Sequence, residues 1–332
     1  MMDLSRLISI VILSLSLCAC SSGGKSGGGG VDIIRYDKTQ YEYIEFNSFD
    51  ANQRMKSDYY PMTKLLVEDI LEIGSITDDD IQVKFREYYS DSLLLQLIDD
   101  VEAKFDDVSD IERQLTKAFA SLHRQLPGVP IPKVYSQLSA LNESIIMADT
   151  LLGISLDKYM GADYPLYKSF YYFYQRRSME PDRIDNDCIV SLMRSAYPFD
   201  RGQSINLCNL MIHYGRLAYV SAKVLDITLR EQLDFTEDEW QWCEQHEKEI
   251  FRYVLEHGHL YSTNFMVLRK YLRPSPYVPY FGKHSPSCLG IWIGARIIES
   301  YVSGNDVSLN DLMNITNYKH LLINSHYLNL FV

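Results

Sequence analysis

Apolar residues recur at helical spacing along most of the chain, most broadly over 204–225. There Leu207, Leu210, Met211, Tyr214, Leu217, Ala218, Ser221, Val224 and Leu225 form one stripe, the pattern of a helix with a wide buried face. The same period predicts a helix over 62–72 closed by Gly74, and another over 83–98 with an apolar face at Leu93 to Leu97. Ser109 and Glu112 read as a capping box ahead of Ile111, Leu115, Ala118, Phe119, Leu122 and Leu126. Thr236 and Glu239 read as a second box, opening a helix through about Glu256 that carries Trp240, Cys243, Glu247, Ile250 and Val254. Residues 167–174 read as an aromatic helix whose rings serve a core, and Ser308 with Asp311 opens the last helical region. The apolar tail 327–332 is suited to docking on the body. Alternating patterns predict strands over 31–46, 134–138 and 144–152, the latter two following the proline-rich break at 127–132. The elements sum to an α+β domain, predominantly helical, with a small sheet.

Composition narrows the function classes. The chain has 332 residues, 46% of them hydrophobic, enough for a sizeable core. A net charge of -12 and no Lys/Arg cluster argue against nucleic acid as a partner. Besides the basic pair Arg176-Arg177 there is a small basic rim at Arg269, Lys270 and Arg273, suited to an acidic partner but by default a solvated surface. Acidic clusters at Asp78 to Asp80, Asp99–Asp100 and Asp106–Asp107 lack the spacing of a calcium loop and read as solvated turns.

The amino terminus carries an address. Arg6 precedes an apolar run over 7–17, too short to remain as a membrane span. The run ends in Leu17-Cys18-Ala19-Cys20, which resembles the lipobox of bacterial lipoproteins. This predicts a signal peptide over 1–19, acylation of Cys20, a flexible Gly/Ser tether over 20–30 and a single domain over 31–332. The four remaining cysteines, Cys188, Cys208, Cys243 and Cys288, form no C-x-x-C pair, and three disulfide pairings stay open beside free buried thiols.

Candidate chemistry centres on the 204–225 helix. Asn209 and His213 lie one turn apart on one face, where a zinc peptidase of the H-E-x-x-H type places its two histidine ligands. Here the five positions read Asn209-Leu210-Met211-Ile212-His213. An amide replaces one imidazole and a hydrocarbon replaces the general base, so only His213 remains. Glu247 stands where a gluzincin would place its downstream glutamate, and His257 is a conceivable third ligand, yet the base is missing from any such set. Cys288, four residues after His284 and ahead of a helix, has no evident base; Gly290 and Gly294 on that helix favour close packing instead. No catalytic residue, metal ligand or cofactor is therefore expected, and Asn209, Leu210, His213 and Glu247 are candidates for a vestigial site.

Several blocks together resemble the GldB family of gliding-motility lipoproteins of Bacteroidetes. They are Ile34-Arg35-Tyr36-Asp37, residues 156–161, Ile212-His213-Tyr214-Gly215-Arg216, Trp242-Cys243 with Glu247, residues 260–263, residues 287–294 and Glu299-Ser300-Tyr301. The family in turn looks distantly like zinc peptidases, which implies a zincin-like, gluzincin-type domain with a degenerate active-site helix. The resemblance further implies an envelope lipoprotein required for gliding and linked to the associated secretion apparatus, with envelope proteins as partners and no known reaction. Lys25, and no Asp or Glu, follows Cys20 within 21–30, which by family habit favours a domain facing the periplasm. The function expected is a non-catalytic scaffold or assembly factor. The alternatives are a binding module using a vestigial peptidase cleft and an active zinc peptidase with a rearranged site.

Overall fold

Most of the segment expected to begin the domain as a strand is helical. A computed structural model describes residues 30–148 and 150–330; the signal peptide, Cys20 and nearly all of the tether lie outside the described residues. Strand β1 (Ile34–Arg35) passes directly into α1 (Tyr36–Phe46). The buried set Tyr36, Gln40, Tyr43 and Ile44 follows i, i+4, i+7, i+8, a helical period that the polar Gln40 conceals from a hydrophobic pattern. Gln40 is buried because its amide donates to the Leu138 carbonyl (3.0 Å) and accepts from the Leu138 N–H (2.8 Å), fastening α1 to the end of a strand.

Short helices follow: α2 (Phe49–Lys56), α3 (Tyr60–Lys64) running into a π-helical turn over Leu65–Ile70, α4 (Ile81–Tyr88) and α5 (Ser92–Lys104). The single helix expected over 83–98 is thus two, because Asp91 caps the second by accepting from the N–H groups of Leu93 and Leu94. Helix α6 (Ser109–Gln125) buries the predicted stripe, but its capping box does not form. Ser109 is already helical and bonds Asp107, while Glu112 accepts from the Ile33 N–H (2.8 Å). A tertiary contact has taken the side chain that the local motif would have used.

Strands β2 (Lys133–Gln137), β3 (Ile145–Ala148) and β4 (Leu151–Ser155) complete a sheet of order β1-β2-β4-β3. The first three in that order are parallel and β3 is antiparallel to β4, with Ile145 opposite Ile154 and Ala148 opposite Leu151. The stretch 144–152 expected as one strand therefore crosses a reversal between β3 and β4.

The aromatic run is broken into α7 (Pro165–Phe170) and α8 (Phe173–Arg176). Tyr167 is buried, but Phe170, Tyr172 and Phe173 are 61%, 73% and 70% exposed, so the run does not serve the core as expected. The remaining helices are α9 (Ile184–Ala196), α10 (Leu207–Leu225), α11 (Leu229–Gln232), α12 (Glu237–Glu256), α13 (Phe265–Leu272), α14 (Leu289–Gly304), α15 (Leu309–Asn314) and α16 (Tyr318–Asn324). The capping box at Thr236 and Glu239 and the Ser308 cap both form as their sequences predict. Tyr327 docks the tail as expected, its ring edge-on to Phe251 and its hydroxyl donating to Glu247 (2.8 Å).

Val31–Val332 form one compact unit with its own continuous core, predominantly helical with the small sheet on one side of the chain order. Among the described residues, no helix is long and apolar enough to cross a membrane. The described cysteines Cys188, Cys208, Cys243 and Cys288 are all unbridged thiols.

At the centre, α10 and α14 meet backbone to backbone. A Cβ placed on Gly215 would lie 2.1 Å from the Gly294 carbonyl carbon, and one on Gly294 would lie 1.8 Å from the Met211 carbonyl oxygen. Neither obstacle is a movable side chain, so hydrogen is the only substituent that fits. Gly215→Ala and Gly294→Ala are each expected to destabilise the 31–332 domain by about 3 kcal/mol or more, at or beyond the upper end of overpacking costs. Gly304→Ala, at a position with nothing within 4 Å, is expected to be neutral or slightly stabilising. Urea unfolding of the three variants checks the contrast.

Candidate functional site

The amino terminus of α10 is closed by backbone from elsewhere in the chain. The N–H groups of Leu207 and Cys208 donate to the carbonyls of Ser262 (3.0 Å) and Leu260 (2.8 Å). The Asn206 side chain accepts from the Asn209 N–H (2.9 Å). The free donors that make a helix start an anion site are thus used internally.

Asn209, His213 and Arg216 of the helix are likewise engaged. The Asn209 amide donates to the Ser204 carbonyl (2.9 Å), holding the incoming loop. His213 is buried and shares a 3.0 Å hydrogen bond between its Nδ1 and the Tyr318 hydroxyl of α16. Phe199 and Tyr318 stack on each other, and both meet the His213 ring edge-on. Burial, with lesser contributions from Arg216 and Arg194, pushes the imidazole down to about 4, so it is neutral at physiological pH. Arg216, one turn on, is also buried; its Nη1 donates to the carbonyls of Leu312 (3.1 Å) and Ile315 (2.6 Å), closing the end of α15.

Glu247 on α12 belongs to a different cluster. It accepts from Arg296 Nε on α14 (3.0 Å) and from Tyr327, and Arg296 also pairs with Glu299. His257 is exposed, stacked on Tyr253 with its Nδ1 3.0 Å from the Tyr253 carbonyl. Asn209, His213, Glu247 and His257 therefore each have separate partners. Among the described residues, no three His, Cys, Asp or Glu side chains are grouped to hold a metal ion. Cys288, at the N-cap of α14 with φ 56°, is half-buried, and burial raises its thiol above the ordinary value, the wrong direction for a nucleophile.

Leu210 has a different setting. It lies half-buried beside Tyr214 in a groove of about 430 Å³ between α10, α13 and the loop that precedes α10. Leu268, Leu272 and Ile291 extend its apolar lining, and Arg194, Arg269 and Arg273 border it. Sequence reasoning located Arg269 on α13 and Arg273 directly after its end, but not Arg194, which α9 brings in from a distant part of the chain. No local pattern announces that juxtaposition.

These features define a predominantly helical α+β protein whose central helix commits Asn209, His213 and Arg216 to neighbouring segments and exposes an apolar groove at its first turns. A family model described as gliding motility protein GldB matches residues 28–329. The chain belongs to that family. No curated protein and no solved structure is matched significantly.

The blocks that carry the resemblance converge on α10 and α14. Gly215 faces Gly294, residues 260–262 cap α10, and the Ile212 to Arg216 block supplies the bonds to α15 and α16. The 156–161 block acts at the sheet: the buried Asp157 carboxylate accepts from the N–H groups of Ser139 (2.9 Å) and Leu141 (2.6 Å), holding the loop after β2.

The setting of His213 fixes a pH dependence. Its folded-state pKa lies below the ordinary 6.5, so the neutral ring is favoured by folding. The associated stability is complete above about pH 6.5 and is lost as pH falls toward 4. His213→Gln is expected to be less stable than wild type at pH 7 and to have a flatter stability profile between those pH values. Urea unfolding of both proteins at several pH values measures the difference, which also cancels the titration of groups common to the two.

Proposed function

We propose that this protein is a non-catalytic envelope lipoprotein, anchored through Cys20, that serves as a scaffold or assembly factor for gliding motility and the associated secretion machinery. The domain faces the periplasm and its partners are envelope proteins of that machinery. The observation that carries the non-catalytic part is the use of the Asn209 to His213 face. Asn209 holds the preceding loop, Leu210 is hydrocarbon, and His213 is buried on Tyr318 rather than directed at an open coordination position. Family membership supports the link to motility. The zincin part of the sequence reading rests on the spacing of this one helix.

A second reading, a binding module that uses the surface of the former active-site helix, is favoured by the groove at Leu210. It is compatible with the first, because an assembly factor has to hold a partner.

Elemental analysis of the purified 31–332 domain, beside its His213→Ala variant, tests the non-catalytic reading. The expected result is no stoichiometric metal in either protein; one equivalent of zinc in wild type that disappears in the variant would overturn it. In cells, deletion of the full chain is expected to abolish spreading, and a deletion strain with normal spreading and secretion would remove the assembly role.

A further inference from the structure

The groove over Leu210 combines apolar lining with unpaired positive charge on an acidic protein. Arg194, Arg269 and Arg273 are all exposed, and among the described residues none has a carboxylate or hydrogen-bond partner for its guanidinium. Several other arginines are ion-paired, as Arg177 is with Asp234 and Glu239 and Arg296 is with Glu247 and Glu299; what sets these three apart is that they border one apolar recess. At a net charge of -12, three unpaired guanidiniums around one recess are a local reversal of sign. They come from α9 and from α13 and its end, both helices packed against α10.

The apolar surface continues beyond the recess. Ile205 and Phe265, 62% and 70% exposed, belong to its lining, and Met266, 55% exposed, follows Phe265 on α13 outside it. A small anionic amphiphile seated in about 430 Å³ would fill the recess but leave Met266 in water. A flat bilayer would cover Met266 but could not follow the recess to Leu210 and Tyr214. A chain that enters the groove and runs on across its margin covers both.

From this complementarity we infer that the α10–α13 groove is a docking site for an acidic amphipathic peptide segment of a partner protein. Apolar side chains of the segment enter between Leu210, Tyr214, Leu268 and Leu272, and its carboxylates meet Arg194, Arg269 and Arg273. Guanidinium groups suit this task because their planar donors take a carboxylate in paired hydrogen bonds. The inference rests on the reading of this chain as a binding protein and supplies the chemistry of what it binds.

Fluorescence anisotropy with the 31–332 domain tests it, using two labelled synthetic peptides of identical leucine and phenylalanine pattern, one carrying glutamates and the other glutamines. The glutamate peptide is expected to bind saturably, at least about tenfold more tightly than its glutamine counterpart, and to weaken as salt is raised. Arg194→Ala and the double variant Arg269→Ala/Arg273→Ala are each expected to weaken it about tenfold with unchanged thermal unfolding, since these side chains have no partners in the fold. Absence of binding, equal affinity for the two peptides, or wild-type affinity in the arginine variants would overturn the inference. So would arginine-dependent binding to phosphatidylglycerol vesicles in place of the peptide. Complementation of the deletion strain by the triple arginine variant separates the two levels. Restored spreading together with failed peptide binding removes the groove and leaves the assembly role standing; lost spreading together with lost binding supports both.

Discussion

The closest constraint in the molecule is the contact of α10 and α14 at Gly215 and Gly294. Two helices can approach until backbone meets backbone only where both lack side chains, and here even a methyl group would overlap carbonyl atoms of the other helix. That approach sets the positions of everything carried by the two helices. His213 and Arg216 reach the carboxy-terminal elements α15 and α16 from one, and Arg296 reaches Glu247 on α12 from the other. Trp292, fully buried, packs edge-on to Trp240 from the same helix pair's other side.

Around this pair the polar residues act as fasteners between elements distant in sequence. The 260–262 backbone caps α10, Arg216 caps α15, Gln40 binds the end of β2, and Asp157 organises the loop that follows it. Each holds together elements that the chain order separates, and hydrogen-bonded polar groups can do so inside a core without a large penalty. His213 belongs to this set. A ring enclosed by Phe199 and Tyr318 and held neutral is a poor hydrogen-bonded match for a zinc ligand awaiting metal, and a good one for a structural histidine.

The surface beside that helix carries an open groove at Leu210. Leu210 and Tyr214 line an apolar recess with Leu268 and Leu272, and three unpaired arginines border it. Arg177 and Arg296, by contrast, are neutralised in local pairs. Leaving three exposed around apolar surface favours a ligand that brings its own carboxylates.

Some of this was legible in the residues alone. The stripes of α6 and α10, the caps at Thr236 and Ser308 and the strand β2 all depend on neighbours within a turn or two, so local periodicity and side-chain chemistry were sufficient. The ordered motif blocks likewise pointed to the family that the comparison shows. Sequence reading failed where a distant partner changed the local rule. Gln40 is buried because Leu138 offers two hydrogen bonds, Glu112 abandons its cap for Ile33, and Phe170, Tyr172 and Phe173 stay exposed where the aromatic helix breaks. The partner of His213, the meeting of Gly215 with Gly294 and the arrival of Arg194 beside Arg269 and Arg273 were decided only by tertiary structure. Each joins residues far apart in the chain, and a hydrogen bond, a steric limit or an electric field depends on distance in space, which local sequence does not encode.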